Sequence, residues 1–319
     1  MPREYKIAIV ANMSAGKSTF INAMFADNLL PAYSMATTDC PVYIYSDHNP
    51  HNNRAIVEFL DGSKITIDSE DVKKELKFYA KKDTDDLDEK YRSVKKIDLH
   101  WDFHTLRNSE ESRLAFTIID TPGPNNTDEY QEKHQSITKQ IILKEADMVL
   151  YLFDYGQIDS NLEATKENIW GLIQQRKAKD KNFEVFFVIN KIDMALEDNR
   201  KLSVVRTTKT KEEFYQKLKE FWFYHEKKAV DKIKASAIKY GFLEPKVFTT
   251  SAKYQKFSRM KEISFDDEDK IDLLKSLFKE TFQEQWEEEL LKYLHLDFIE
   301  DATRVHLQNI ENQMLLRNN

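Results

Sequence analysis

Apolar stretches of strand length recur along the chain and alternate with stretches that repeat hydrophobic residues at helical spacing. The predicted strands cover residues 5–10, 42–45, 114–120, 148–153, 185–190 and 247–250. The last four are almost continuously apolar, which is typical of strands that are covered on both faces. Because strands alternate with helices, the pattern predicts an α/β fold whose mostly parallel sheet has helices on both faces.

A segment of about 47–112 interrupts this alternation and is interpreted as an insertion. Within it, Asp61-Gly62 lies between two short apolar runs and favours a tight hairpin turn with positive φ. The elements predicted for the insertion are two strands, a helix and a third strand, at 55–60, 64–67, 69–81 and 93–101.

Helical periodicity dominates the later part of the chain. Residues 211–240 predict one long helix whose apolar face carries Phe214, Leu218, Phe221 and Trp222. After about Asp267 the pattern is helical to the end of the sequence. We therefore expect one domain over 1–266 and a short C-terminal helical segment over 267–319. Its apolar positions either pack on the sheet or form a surface for a partner protein.

Composition narrows the classes of function. The chain of 319 residues has a formal charge of −7, which gives it no general attraction for nucleic acid or anionic lipid. Its one cysteine, Cys40, excludes a disulfide framework and fits a reducing compartment. No apolar run approaches the ~20 residues of a membrane-spanning helix, and the N-terminus lacks a signal-peptide pattern. We expect a cytoplasmic protein without a nucleic-acid partner.

A phosphate-binding loop is predicted between the first strand and the first helix. Residues 11–19 read Ala-Asn-Met-Ser-Ala-Gly-Lys-Ser-Thr, with Gly16-Lys17-Ser18 at the helix start. Backbone amides from Ser14, Ala15, Gly16 and Thr19 can converge on phosphate, and the helix start adds its positive dipole end. Lys17 is expected to reach the β- and γ-phosphates, and Ser18 to bind Mg²⁺. Ala11 replaces the first glycine of the motif, and a positive φ there would cost about 1 kcal/mol or more.

Two further motifs mark loops that would respond to the γ-phosphate. Thr38 follows the first helix, where its hydroxyl can complete the Mg²⁺ shell and contact the γ-phosphate. Asp120 ends a strand in Asp-Thr-Pro-Gly, where its carboxylate can hold a Mg²⁺-bound water and the Gly123 amide can donate to the γ-phosphate. Loss of that phosphate would release both loops, as in known nucleotide switches.

The base is expected to be recognised by Asn190-Lys191-Ile192-Asp193, which ends the fifth strand. The Asp193 carboxylate can accept hydrogen bonds from guanine N1–H and the 2-amino group, whereas adenine would leave it unpaired. The stem of Lys191 can lie across the base plane. Ser251-Ala252-Lys253 follows the last strand and can bring backbone amides to guanine O6. All these motifs end strands, which is where open α/β sheets bind ligands. The sequence therefore predicts GTP and GDP as ligands, with Mg²⁺.

These motifs resemble the dynamin superfamily, in particular its bacterial dynamin-like members. The resemblance extends over about residues 4–255 and includes the large segment between the two switches. It rests on Asn12 to Thr19 with Ile21-Asn22-Ala23, on Leu30-Pro31 before Thr37-Thr38, and on Asp120 to Asn126. It implies a GTPase that dimerises through its nucleotide faces and hydrolyses GTP faster as a dimer. Many members remodel membranes, so the inner face of the membrane is a second expected location, while direct membrane binding is left open.

Catalytic roles are expected at the phosphate end of the site, from Lys17, Ser14, Thr38 and Gly123. Phosphoryl transfer to water depends on charge neutralisation and on an in-line water. Met13 stands where eukaryotic dynamins carry a water-placing glutamine, and Pro124 follows Gly123 where small GTPases carry another. The other candidates for orienting water are Asn125, Asn126 and His134, although His134 is interpreted as a surface helix residue.

Three functions remain open from the sequence, and the last of them is an assembly protein whose helical tail recruits a membrane-bound partner. The first is a dynamin-like GTPase with slow basal hydrolysis that dimerisation or a partner stimulates. The second is a nucleotide-gated binding module, in which GTP orders the switches, a partner docks and hydrolysis is negligible. Met13 and Pro124 favour the second function. The intact phosphate and Mg²⁺ residues favour the first, namely Lys17, Ser18, Thr38 and Asp120.

Overall fold

The computed structural model describes most of the chain in discrete segments. These segments are residues 4–11, 15–31, 40–46, 52–80, 94–101, 106, 115–122, 128–159, 168–197, 207–259, 279, 283–285, 288–289 and 296–317. Within them, no helix combines the length and the apolar character needed to cross a membrane. Several expected site residues, namely Met13, Ser14, Thr37, Thr38 and 123–126, lie outside the described residues.

One nine-stranded sheet organises the described segments. Its strands are β1 (Tyr5–Ala11), β2 (Val42–Ser46), β3 (Arg54–Phe59), β4 (Lys64–Asp68), β5 (Val94–Trp101), β6 (Phe116–Asp120), β7 (Met148–Asp154), β8 (Glu184–Asn190) and β9 (Lys246–Thr249). Their spatial order is β4-β3-β5-β2-β6-β1-β7-β8-β9. The chain thus builds outward from a central β1 in both directions.

The sheet is mostly parallel, as predicted. Strands β6, β1, β7, β8 and β9 pair in parallel, with Ile9 beside Asp120 and Asp154 beside Asn190. β2 is antiparallel to β6 and parallel to β5, and β3 is antiparallel to both β4 and β5. Parallel pairing places the ends of β1, β6, β7, β8 and β9 at one edge of the sheet, where the predicted motifs follow.

Helices cover both faces of the sheet. They are α1 (Lys17–Phe25), α2 (Ser69–Ala80), α3 (Asp128–Gln140), α4 (Ile169–Lys179), α5 (Lys211–Lys239), α6 (Ala252–Arg259) and α7 (Leu296–Arg317). Shorter turns are a π-helical one at Ile141–Glu145 and 3₁₀ turns at Tyr155–Gln157, Ile192–Glu197 and Gln283–Gln285. Buried side chains of α1, α2, α6 and α7 share one core, and those of α4, α5 and the π turn share the other. The α/β prediction is confirmed.

The hairpin and the long helix predicted from the sequence are both present. β3 and β4 pair with Glu58 opposite Lys64, and Gly62 has a φ of 86° in the turn between them. On α5, the apolar face that carries Phe214, Leu218, Phe221 and Trp222 is buried. Cys40 is buried as a small side chain in the core.

The last helix packs on the domain rather than lying free of it. Ile299 and Leu307 of α7 are each 1% exposed within the core that α1 and α6 share. Arg259, the last residue of α6, donates to both carboxylate oxygens of Glu300 at 2.7 and 2.9 Å, and also bonds Asp297. The same guanidinium donates to the carbonyl of Ala23 in α1 at 3.2 Å. One side chain therefore links three helices.

Two expectations need correction. His134 is 1% exposed in α3, so the surface interpretation is wrong. Ala11 has no positive φ, because it is still part of β1 and pairs with Leu152 of β7. An extended backbone accommodates a side chain, so the alanine carries no conformational cost, and this explains why the motif tolerates it here.

Candidate nucleotide-binding site

The phosphate-binding loop ends on a glycine that no other residue could replace without strain. Gly16 precedes α1 with a φ of 80°, and its carbonyl accepts the amide of Phe20 at 2.9 Å. A Cβ at this position would lie 2.8 Å from Nδ2 of Asn190. Lys17 and Ser18 then form the first turn of α1, with Thr19 behind them. The helix start is therefore aimed at the carboxyl edge of the sheet, where it favours an anion.

Asn190 joins the phosphate loop to the base loop. Its Nδ2 donates to the Ala15 carbonyl at 2.8 Å, and its Oδ1 accepts the Ala252 amide at 3.0 Å. The side chain is 1% exposed. An asparagine amide supplies a donor and an acceptor at once, which neither aspartate nor leucine of similar size can do. One side chain at the end of β8 thus holds both loops in place.

Asp193 is the carboxylate that the sequence predicts for guanine recognition. It follows Lys191 in the 3₁₀ turn Ile192–Glu197, and one of its carboxylate oxygens accepts a hydrogen bond from the Ser251 hydroxyl. Burial raises the pKa of the Asp193 carboxyl, while the Ser251 hydroxyl and nearby Lys253 counteract that shift. A desolvated carboxylate binds N–H donors more strongly than an exposed one.

Lys191 adopts an unusual backbone conformation, with a φ of 62°. Its ammonium group lies 2.8 Å from Oδ2 of Asp154, at the end of the neighbouring strand β7. Asp154 is 7% exposed, and its Oδ1 also accepts the amide of Gly156 at 2.8 Å. Asp154 was not among the residues predicted from the sequence. Its position could have indicated it from the sequence, since Asp154 ends an apolar strand. In the sheet that strand end lies directly beside Asn190.

Two of the metal ligands predicted from the sequence, Ser18 and Asp120, lie on adjoining elements, and the third, Thr38, lies outside the described residues. Ser18 is 6% exposed in the first turn of α1, and Asp120 is fully buried at the end of β6. α1 contacts both β1 and β6. A hydroxyl and a carboxylate are hard oxygen donors, and Mg²⁺ prefers a few of these together with water and phosphate oxygens. The donor set therefore fits Mg²⁺.

The loop after α1 is anchored by an asparagine that the sequence singled out only through its resemblance. Asn22 is fully buried, donates to the Leu30 carbonyl at 2.7 Å and accepts the Leu30 amide at 2.8 Å. This pair fixes where the chain leaves α1 toward Thr38. The two bonds connect Asn22 to Leu30, which are both positions on which the resemblance rests.

A protein-family model for the dynamin family matches residues 7–192, which is more than half of the chain. The chain belongs to the dynamin family. It contains a dynamin-family GTPase domain with a P-loop fold, as the resemblance implied. The bacterial Dynamin-like protein A of Bacillus subtilis (strain 168) is 26% identical over 190 residues. That match covers 60% of this chain and 13% of the relative.

Two solved structures are also similar to this dynamin-family chain. A structure described as an oligomerised bacterial dynamin pair for the long-range sensing and tethering of membranes covers 99% of this chain and 37% of that one. Its sequence identity is 16% and its TM-score 0.43. A variant of Era from Aquifex aeolicus, bound to GDP and aluminium fluoride, covers 91% and 56%, with 17% identity and a TM-score of 0.37. The chain thus spans less than two thirds of the length of each of these proteins.

Proposed function

We propose that this chain binds GTP and GDP with Mg²⁺ and hydrolyses GTP, as a homodimer that forms through its nucleotide faces. The observation that carries the proposal is the Asn190 side chain, which bonds both Ala15 and Ala252 and so holds the phosphate loop and the base loop together. Asp193, held by Ser251, supplies the acceptor that guanine needs and adenine does not.

The phosphate end of the site supports hydrolysis. Lys17 and the amides at the start of α1 would neutralise charge on the β- and γ-phosphates, and Ser18 and Asp120 would hold Mg²⁺, Asp120 through water. When bound, Mg²⁺ supplies further charge neutralisation for phosphoryl transfer. Thr38, Ser14 and Gly123 complete the proposed catalytic set. Because Met13 cannot orient a water by hydrogen bonding, we expect slow basal turnover that a second subunit or a partner raises.

Assembly at a membrane is the broader setting we propose. In that setting the dimer would act at the inner face of a membrane, and a partner protein would bind the C-terminal helices. The outer surface of α7 supports a contact there, since Phe298 and Val305 are 59% and 62% exposed.

A nucleotide-gated binding module is the alternative function. It is favoured by Met13 and Pro124, which remove the side chains that place water in related GTPases. In this version GTP orders the loops and a partner docks, and hydrolysis is negligible. Single-turnover GTP hydrolysis separates the two functions, because a module without catalysis leaves bound GTP intact over hours.

GTP turnover measured against protein concentration tests the proposal. If dimerisation through the nucleotide face activates hydrolysis, turnover per molecule rises with concentration and then saturates. The Lys17→Ala variant should lose turnover at every concentration, since the β- and γ-phosphates of GTP lose the lysine ammonium group. A turnover number that is constant across the series, with or without anionic vesicles, would count against self-activation.

A further inference from the structure

Lys191 is held in a conformation that its own backbone disfavours. Its φ of 62° lies in the left-handed region, which L-residues with side chains rarely occupy. Backbone bonds fix the flanking positions, since the Ile192 amide donates to the Thr250 carbonyl at 3.2 Å and the Met194 amide to the Lys191 carbonyl at 3.0 Å. These bonds place the peptide, but they leave the direction of the long side chain to its own contacts.

Asp154 supplies the contact that sets this direction. Its Oδ2 pairs with the Lys191 ammonium at 2.8 Å while its Oδ1 is occupied by the Gly156 amide. The carboxylate is therefore fixed at both oxygens and is 7% exposed, so the pair is partly shielded from water. A charge-assisted bond of this kind is stronger than a neutral one and orients both partners.

The turn that follows Asp154 also packs on the base-reading turn. A Cβ on Gly156 would lie 2.8 Å from Cε of Met194, so Met194 rests directly on the Gly156 backbone. The 3₁₀ turns Tyr155–Gln157 and Ile192–Glu197 contact each other. The end of β7 and the turn after it therefore contact the segment 191–194 in two ways. Asp154 forms an ion pair with Lys191, and Gly156 packs against Met194.

We propose that Asp154 is a positioning residue for guanine recognition: it anchors the Lys191 ammonium so that the lysine stem lies flat beneath the base. This inference rests on the proposed guanine site and adds a residue to it. With the ammonium anchored, the stem is already ordered before nucleotide arrives, which lowers the entropy lost on binding. Without the anchor, the stem samples other rotamers and the nucleotide dissociates faster.

A double-mutant cycle tests this role with fluorescent mant-GDP as the probe. Asp154→Asn keeps an oxygen for the Gly156 amide but removes the negative charge. We expect about a tenfold loss of mant-GDP affinity, mostly as a faster dissociation rate, as for the loss of a charge-assisted bond. Lys191→Met should lower the affinity for mant-GDP by a similar factor. Asp154→Asn added to Lys191→Met should then change affinity less than about twofold, because the two residues act as a unit.

Asp159→Asn is the matched control. Asp159 lies five residues further along the same segment and pairs with Lys232, but its side chain is 75% exposed. The Asp159→Asn variant should bind mant-GDP with an affinity within about twofold of that of the unaltered protein, since exposed ion pairs contribute little. If Asp154→Asn does not fold, Asp154→Ser is assayed in the same cycle, because a serine hydroxyl can also accept the Gly156 amide.

Three results are distinguishable. An unchanged affinity in Asp154→Asn overturns the inference, and so does a tenfold loss that persists in the Lys191→Met background, since the effect would then be structural. If the unaltered protein binds mant-GDP no better than mant-ADP, the proposed guanine site itself fails, independently of Asp154.

Discussion

Single residues set the geometry of this site. The position of the Asn190 side chain, for example, depends on the absence of a side chain at Gly16. The Asn190 amide lies where a Cβ on Gly16 would project, at 2.8 Å. The clamp between Ala15 and Ala252 can therefore form only because position 16 has no side chain. A motif search predicts both residues, but it gives no indication that each depends on the other.

We expect Gly16→Ala to lose more than conformational freedom. A left-handed alanine costs roughly 1–2 kcal/mol on its own, and here it would also displace the buried Asn190 amide from the Ala15 carbonyl. GDP affinity should therefore fall together with the free energy of unfolding in urea. Gly62→Ala is the control, because Gly62 has a φ of 86° with no atom within 4 Å of the added Cβ. Equal losses of stability in the two variants, with GDP affinity intact, would contradict the clamp.

Some residues could be predicted from the sequence and others could not. Asn190, Asp193 and Gly16 belong to spaced motifs whose chemistry is local, so the sequence was sufficient to select them. Asp154 has no motif, and its importance depends on β7 lying beside β8. Burial of His134 depends equally on what α3 packs against. Side-chain roles that arise from neighbours distant in sequence are the ones that pattern alone does not predict.

At the scale of elements, the sequence pattern predicted the bounds of the nine described strands and of the helices α2 and α5 within one or two residues. The hairpin of β3 and β4 and the helix α5 agree with their predicted bounds. The direction and the order of the strands could not be predicted from the pattern. β2 is antiparallel to β6, and β5 lies between β3 and β2, because pairing across the whole sheet sets both arrangements. For the C-terminal segment the sequence left open whether its apolar positions pack on the domain or bind a partner. The packing of α7 on the domain depends on side chains from three helices, which the pattern does not show.

The contact between α6 and α7 gives a prediction at this scale. Glu300 is 4% exposed, and burial raises the pKa of its carboxyl even though Arg259 lies against it. Arg259→Met would leave this carboxylate buried without its cation, which costs about 3 kcal/mol of unfolding free energy. Replacing both partners, as Arg259→Met with Glu300→Met, should recover most of that loss, since a packed apolar pair is often as stable as a buried ion pair.

Urea unfolding measures this effect, and a surface pair provides the control. Lys217 and Glu213 pair on α5 at 2.9 Å with side chains 32% and 42% exposed. Lys217→Met should cost less than about 1 kcal/mol. If Arg259→Met costs no more than Lys217→Met, then α7 is not held to the domain through Arg259.

At the scale of the whole molecule, the sheet brings five strand ends to one edge, and the predicted site motifs follow four of them. The phosphate loop follows β1, the predicted switch aspartate ends β6, and the predicted base-reading loops follow β8 and β9. Membership of the dynamin family and this arrangement both favour a guanine nucleotide as the ligand. The chain spans 13% of its Bacillus relative.

Nucleotide selectivity tests the central claim most directly. Calorimetric titration of GDP, ADP and XDP into the unaltered protein and into Asp193→Asn compares the base edges with the phosphates held constant. We predict that the unaltered protein binds GDP at least about a hundredfold more tightly than ADP, because adenine offers the partly buried Asp193 carboxylate no matching pair of N–H donors. Asp193→Asn should lose that preference and gain XDP binding, since an amide can donate to the xanthine 2-oxygen. Equal affinity for GDP and ADP, or a GDP preference that survives Asp193→Asn, would contradict the account.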